Sequence, residues 1–258
     1  MIGRIKEIYK SRELLKNLTS KELKLKYKNS ALGFIWSFFN PLMIMVVYTF
    51  AFKYVIGIDE LNYPIFILSG ILPWMAFQNA VQVGTQSIVM NGNLLKKVYF
   101  PREIIPLSIV FSSITNYVIT LSVLFLGILI FKMPLGIALI SLPIVIFLFA
   151  IFTTGLTLLL SALNALYRDV SHFVEIAFMA WMYLTPIIYK IDRIPDTIKP
   201  FMYLNPMTLI VNSLRAPLYE NRFPDAWQLV ALAAVALIFL WIGFTVFNKL
   251  QKRFAEEI

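Results

Sequence analysis

Long apolar stretches alternate with short charged islands along the whole chain. Residues 31–52 carry no charge and predict a first membrane helix over about 33–56, with Lys53 snorkelling outward. Residues 61–95 are also uncharged but too long for one crossing. The turn signal Asn91-Gly92-Asn93 ends that stretch, so the second helix covers about 63–90. A third covers 104–131, and Lys132-Met133-Pro134 makes a tight outer turn before a fourth over 135–163. Arg168-Asp169 breaks the pattern, the fifth covers 172–189, and the sixth covers 226–248. Each is near the roughly 20 apolar residues that cross a bilayer as a helix.

Residues 190–225 fit no such pattern. They contain Pro195, Pro200, Pro206, Pro217 and Pro224, and their semi-apolar middle is cut by Asn205-Pro206, Asn212 and Arg215. Backbone freed by such breaks survives at membrane depth only under a cover of protein or water. The segment therefore reads as a re-entrant or outer-surface hairpin of short helices.

Charge sets the orientation. With six spans, sixteen Lys/Arg fall in 1–30, 91–103, 164–171 and 249–258, against six in the outer regions. That bias places both termini inside. The expected fold is thus an all-α polytopic membrane protein of six transmembrane helices. An amphipathic interface segment (1–30) precedes the membrane domain (31–258).

Composition agrees: 59% of residues are hydrophobic and 14% charged, where a soluble domain carries roughly 25% charge. The net charge of +9 serves topology and contact with anionic membrane lipids, so nucleic acid is not an expected partner. No cysteine is present, and His172 is the single histidine, which removes thiolate and multi-histidine metal sites. A cleavable signal peptide would place its apolar region sooner than residue 31.

The N-terminal segment puts Ile5, Ile8 and Tyr9 on one helical face. Thr19-Ser20-Lys21-Glu22 fits a capping box that would start a second helix carrying Leu23 and Tyr27. It reads as a membrane-surface anchor or as a dock for a cytosolic partner. The inner loop 91–103, NGNLLKKVYFPRE, sets Tyr99 and Phe100 beside Lys96, Lys97 and Arg102, an aromatic pair suited to a partner's pocket.

Polar residues recur inside the spans. Gln78, Gln82 and Gln86 form a stripe with Asn79 beside it; Ser112, Asn116 and Thr120 form another; Thr153, Thr157, Ser161 and Asn164 a third. Such stripes serve as helix–helix glue or as the wall of a wet path for a polyhydroxylated solute. Trp36, Trp74, Trp181, Tyr183, Tyr189 and Trp227 fit interfacial belts. The belt is the default reading, and Tyr48, Phe52, Trp74, Phe77, Phe178 and Trp181 could instead line a path and stack on sugars.

No G-x-x-x-x-G-K-[ST] phosphate loop occurs, so the chain has no P-loop motor of its own. Apart from Glu175, near the inner end of the fifth span, the acids lie in loops and termini. A proton- or sodium-coupled carrier keeps an acid at mid-membrane, so the energy is expected from another chain.

Four stretches carry a family resemblance: 22–41 (ELKLKYKNSALGFIWSFFNP), 96–108 (KKVYFPREIIPLS), 167–189 (YRDVSHFVEIAFMAWMYLTPIIY) and 204–215 (LNPMTLIVNSLR). Together they resemble the permease subunit of ABC-2 type polysaccharide exporters, which move lipid-linked O-antigen or wall teichoic acid. The resemblance implies a homodimer in the inner membrane, bound to two copies of a cytosolic P-loop ATPase. ATP and magnesium would be held by that partner, with no cofactor or metal in this chain and no enzymatic role. Leu94, Leu95, Lys96, Lys97, Tyr99, Phe100 and Arg102 would form the coupling element in the ATPase cleft, and 190–225 the outer gate. A channel at the dimer axis would pass an undecaprenyl-diphosphate-linked glycan along Tyr48, Phe52, Trp74, Phe77, Gln78, Gln82, Gln86, Asn116, Phe178 and Trp181. Lys24, Lys26, Lys28 and Arg102 would meet its diphosphate.

Two rivals share parts of this pattern. An ABC-2 permease for a drug or small lipid has the same topology. A membrane-embedded glycosyl- or phospho-transferase would need catalytic groups near a membrane face, and Arg168, Asp169, His172 and Glu175 form the one such cluster.

Overall fold

The computed structural model describes residues 2–26, 28, 30 and 32–254, and these are helical with no strand among them. An apolar chain in hydrocarbon must satisfy its backbone internally, and helices do so within each segment. The N-terminal arm is α1 (Ile2–Lys10) and α2 (Arg12–Leu25). The expected capping box does not start a helix. α2 begins after a single intervening residue, Ser11, and runs through it, and Thr19 Oγ1 donates back to the Leu15 carbonyl at 2.8 Å. The break at Ser11 supplies the start instead. Tyr27 lies outside the described residues, as does the side chain of Ile5.

The first apolar stretch forms a 3-10 turn (Gly33–Ile35), α3 (Trp36–Tyr48) and a π-helical extension (Thr49–Val55). Next come α4 (Tyr63–Met90), the short α5 (Gly92–Lys97) and α6 (Ile104–Ile130). A 3-10 turn (Ile137–Ser141) leads into α7 (Leu142–Leu166), followed by α8 (Val170–Tyr183). Then α9 (Lys199–Tyr203) and α10 (Pro206–Leu218) precede α11 (Ala226–Leu250), which ends in a 3-10 turn, Gln251–Arg253.

Five helical stretches are long and apolar enough to cross a membrane: Gly33–Val55, Tyr63–Met90, Ile104–Ile130, Ile137–Leu166 and Ala226–Leu250. The expected fifth span falls short. α8 has 14 residues, a rise of about 21 Å against a hydrocarbon core of about 30 Å. Pro186 lacks an N–H and disfavours helix in the residue before it, so the chain turns at Leu184 and Thr185.

α4 is the central helix: 78% of its apolar window is buried, against 11% for Gly33–Val55. It packs on α6, α7, α10, α8 and α3, and α3 keeps its other side bare. α7 and α11 lie closest together. A Cβ added at Gly243 would strike the Gly155 carbonyl, and one at Gly155 would strike the backbone at Phe239 and Leu240. Lipid tails offer no hydrophobic drive between helices, so close backbone approach through small residues holds this pair.

Arg215 repairs the break at the C-terminal end of α8. It is 3% exposed, on α10. Its Nη1 donates to the Pro186 carbonyl at 2.8 Å, Nη2 to the Ile187 carbonyl at 3.0 Å and Nε to Ser69 Oγ at 3.2 Å. The guanidinium lies 3.8 Å from the centre of the Phe66 ring. Among the described residues no carboxylate bonds it directly; carbonyl oxygens and a ring carry the charge. Burial pushes its pKa down to about 10, so it stays cationic at neutral pH. Beside it, Lys190 pairs with Glu60 at 2.7 Å, Tyr219 donates to Glu60 at 2.8 Å, and Tyr63 donates to the Ile188 carbonyl at 3.0 Å.

Replacing Arg215 by Met keeps the length but leaves buried carbonyls unmet, so R215M is expected to cost about 3 kcal/mol. A thermal melt of the detergent-solubilised protein, followed by size-exclusion chromatography, checks it. An unchanged midpoint would show that these carbonyls find other donors.

Candidate functional site

The inner loop folds as a short hinge between α4 and α6. The Asn91 carbonyl accepts from Leu94 and Leu95 at 3.0 and 3.1 Å, which starts α5. The Asn91 side chain donates to the Ser87 carbonyl at 2.9 Å, fixing the end of α4. After α5 the chain is extended at Val98 and re-enters a helix at Ile104. This geometry sorts the loop's side chains. Leu95 and Phe100 turn toward an apolar cluster of Ile88, Ile105, Phe247 and Phe254. Lys96, Lys97 and Tyr99 face outward, and Tyr99 is 99% exposed. The expected exposed aromatic pair is therefore one exposed ring and one anchor. A cleft of about 290 Å³ runs between Leu95, Lys96, Lys97, Val98, Tyr99, Phe100 and Arg102, while Leu94 is half-buried at the start of α5.

The C-terminal turn braces this loop. Arg102 donates to the Gln251 carbonyl, and its guanidinium lies 5.9 Å from the centre of the Phe254 ring. Gln251 donates to the buried Glu103 carboxylate at 3.3 Å and to Asn248 at 2.7 Å. Phe254 stacks edge-on against Phe247 at 5.5 Å. Arg102 is thereby a brace, and it shares a pocket with Arg4 of the N-terminal arm, Tyr99 and Lys252. On that arm Lys24 and Lys28 are exposed. Lys26 is exposed as a whole residue, yet desolvation lowers the pKa of its ammonium.

Lys26 and Asn116 come together. Both line a cavity of about 340 Å³ between α3, α4 and α6. Asn79 lines it too and donates to Ser113 at 2.8 Å, which ties α4 to α6. Gln78, Gln82 and Gln86 are half-buried and lie on the same side of α4 as Met75 and Asn79 by helical spacing. The glutamines thus continue the polar side of α4 from the cavity toward its inner end.

The aromatic residues divide differently from the expected channel lining. Trp74, Phe77 and Phe178 are 1%, 0% and 2% exposed, and their ring centres lie 5.1–5.9 Å apart. They are the packing between α4 and α8, not a surface. Trp181 joins this cluster at its edge, 5.2 Å from Phe77, and donates from Nε1 to Asn205 at 2.7 Å. Tyr48 and Phe52 form a separate half-buried pair at 5.6 Å on the flank.

Arg168, Asp169, His172 and Glu175 do not assemble. Asp169, His172 and Glu175 are exposed, no hydrogen bond or ion pair joins the side chains of the four, and the described residues hold no metal-binding cluster. Nothing in this turn positions a nucleophile or a general acid.

The membrane family described as "ABC-2 type transporter" matches residues 13–219. The chain belongs to the ABC-2 type transporter family. It is 37% identical, across the full length of both chains, to the O-antigen export system permease protein RfbA of Myxococcus xanthus. A permease of the same name from Klebsiella pneumoniae is 33% identical over 95% of this chain and 94% of its own. The polysialic acid transport protein KpsM of Escherichia coli is 20% identical over 90% of this chain and 91% of its own. An ABC-2 transporter chain with several apolar spanning helices is a multi-pass protein of the inner membrane, a transport subunit and not an enzyme. ABC-2 permeases work with a separate ATPase subunit.

The role of the C-terminal turn had no signal in the sequence beyond three basic residues and a phenylalanine. Phe254→Ala is expected to loosen the loop it braces. The chain has no cysteine, so a spin label introduced by K97C reads the loop alone. Adding F254A should narrow its spectrum, and an unchanged line shape would show that the brace does not restrain α5.

Proposed function

We propose that this ABC-2 permease works as a pair of copies with two copies of a cytosolic P-loop ATPase, exporting a lipid-linked polysaccharide. The substrate class is an undecaprenyl-diphosphate-linked glycan such as O-antigen. The observation that carries this reading is the end-to-end likeness to permeases named for O-antigen export. The chain's own chemistry supports it: no phosphate loop, no mid-membrane acid in the long spans, and a cationic loop with one exposed tyrosine.

In this reading both termini are inside and six segments span the membrane, α8 with the turn after it serving as the short fifth. The segment holding α9 and α10 is the outer hairpin. Two bare apolar surfaces support pairing of copies. α8 exposes Phe173, Ile176, Met179 and Tyr183, and α3 exposes Phe39, Met43, Val46 and Val47. The glycan path runs between copies, along half-buried groups such as Gln78, Gln82, Gln86, Tyr48 and Phe52. Trp74, Phe77 and Phe178 stay packed in each protomer. ATP and magnesium bind in the ATPase pair. Its closure presses on Lys96, Lys97 and Tyr99, and the load passes through Leu95 and Phe100 into the ends of α4, α6 and α11.

The double substitution Lys97→Glu and Tyr99→Ala reverses one charge and removes the exposed ring without touching the packed side of the loop. It should lower co-purification of the ATPase at least tenfold while leaving the permease's elution volume unchanged. Undiminished co-purification would remove the coupling role from this loop.

A further inference from the structure

We propose that the pocket enclosed by the turn Ile191–Arg193, α9, α10 and the start of α11 binds one neutral sugar residue. It measures about 150 Å³, the room that about five water molecules fill at roughly 30 Å³ each. A single sugar ring fits that space, and a chain does not.

The charges of the pocket are mostly spent on one another. Lys190, Arg215 and Arg222 line it together with Asp192, Glu220 and Asp225. Arg222 donates to Glu220 at 2.7 Å and to Asp225 at 3.2 Å, Lys190 pairs with Glu60 at 2.7 Å, and the Pro186 and Ile187 carbonyls hold Arg215. Among the described lining residues no cation is left over for a phosphate or a carboxylate. Asp192 is the one acid without a pair, and the described residues hold no group of acids that could take a metal ion. The occupant is therefore neither an anion nor a metal.

What remains unspent suits a hydroxylated ring. Among the described residues the Asp192 carboxylate, the Asn212 amide and the Tyr203 hydroxyl have no hydrogen-bond partner. Gln228 is 5% exposed; its amide nitrogen donates to Asp225 at 2.9 Å, and its carbonyl oxygen accepts from none of the described residues. Burial, and then the carboxylates of Asp192 and Asp225, raise the pKa of Tyr203, so it keeps its proton at neutral pH. A carboxylate and an amide carbonyl accept, an amide nitrogen donates and a phenol does both. Neighbouring hydroxyls of a sugar, each a donor and an acceptor, meet that mixture, whereas an apolar ligand would strand it. A flat ring stands beside these groups. Trp227 is 52% exposed and meets Tyr203 edge-on at 4.8 Å. Its free face suits the C–H side of a sugar ring, the apolar half of an amphipathic ligand.

That this sugar belongs to the exported glycan rests on the proposed function, whereas the pocket itself does not. In the proposed orientation this end of the protein faces outward. The pocket would then grip one unit of a chain that has already crossed and hinder its return.

The test is saturation-transfer NMR on the full permease in lipid nanodiscs. The probes are the methyl glycosides of glucose, galactose, mannose and rhamnose, with acetate and methylammonium as charged controls. At least one glycoside should give a signal fivefold or more above both ions. Asp192→Ala, Asn212→Ala and Trp227→Ala should each lower that signal at least fivefold. Phe201→Ala, on α9 but outside the pocket and 70% exposed, should leave it unchanged. Asp192 and Trp227 are exposed, so their loss spares the packed core, and an unchanged elution volume checks this. No glycoside signal above the ions, a methylammonium signal of equal size, or a glycoside signal untouched by D192A and N212A overturns the proposal. A Trp227 that served only as an interfacial belt would leave the signal unchanged in W227A, and that result would also overturn the site as drawn. Glycoside binding by a permease that recovers no ATPase removes the export reading and keeps the site. Recovery of the ATPase and export of glycan without glycoside binding removes the site and keeps the reading.

Discussion

A buried carbonyl has no water to accept from, and that constraint organises the part of this molecule where α8 stops. Pro186 ends α8 early and releases the carbonyls of Pro186 and Ile187 into the protein interior. Arg215 answers both from a neighbouring helix and ties in Ser69 of α4 through the same guanidinium. A single planar cation with five donors can do this where a lysine could not. Because α4 is the buried centre of the bundle, whatever is fastened to it becomes rigid. The outer ends of α4, α8 and α10 therefore form one fixed body. Bare apolar surface lies instead on α3, α8 and α11, and in the proposed pairing α3 and α8 would meet another copy.

Much of this arrangement was legible in the sequence, for reasons that differ from element to element. Uninterrupted apolar runs locate α4, α6, α7 and α11 because the bilayer imposes one length and one chemistry on every crossing. The loop 91–103 stood out by its mixture of cations and aromatics, and its residues do gather around one cleft. The fifth span was overestimated because hydropathy does not register Thr185-Pro186 as a stop when the residues beyond it are apolar and buried. Arg215 looked like an interruption of an apolar segment. Only the fold shows that it repairs a break lying almost thirty residues earlier in the chain. The stripe of aromatics was misleading for a related reason: Trp74 and Phe77 share a helix with the glutamines, and a linear pattern cannot say which side is covered by α8.

The packed aromatics constrain how a wide solute could cross. Trp74, Phe77, Phe178 and Trp181 hold α4 against α8, with Phe152 of α7 stacked at 5.6 Å from Phe77. Turning them into a channel would open the centre of each protomer, and loss of one such ring from a core costs about 3–5 kcal/mol. A path between copies avoids that penalty, since the surfaces it uses are not committed to packing within either protomer. Rigid protomers that rock against each other then satisfy both the intact core and a passage that opens.

The inner face shows how force would reach those rigid bodies. Tyr99 stands clear of the protein, while its neighbour Phe100 is held among Ile88, Ile105 and Phe247. A push on the exposed ring is therefore delivered one residue later to the ends of three long helices. Arg102 and Gln251 close the connection by joining the loop to the terminus of α11. α11 in turn is locked to α7 through Gly155 and Gly243, where backbone meets backbone. Side chains at a contact can rearrange to absorb a displacement, but two backbones without intervening side chains cannot. In the proposed coupling, load entering at the loop would reach α4, α6 and α11 together and α7 through α11, so the protomer would move as a unit and the compliance is left to its bare flank.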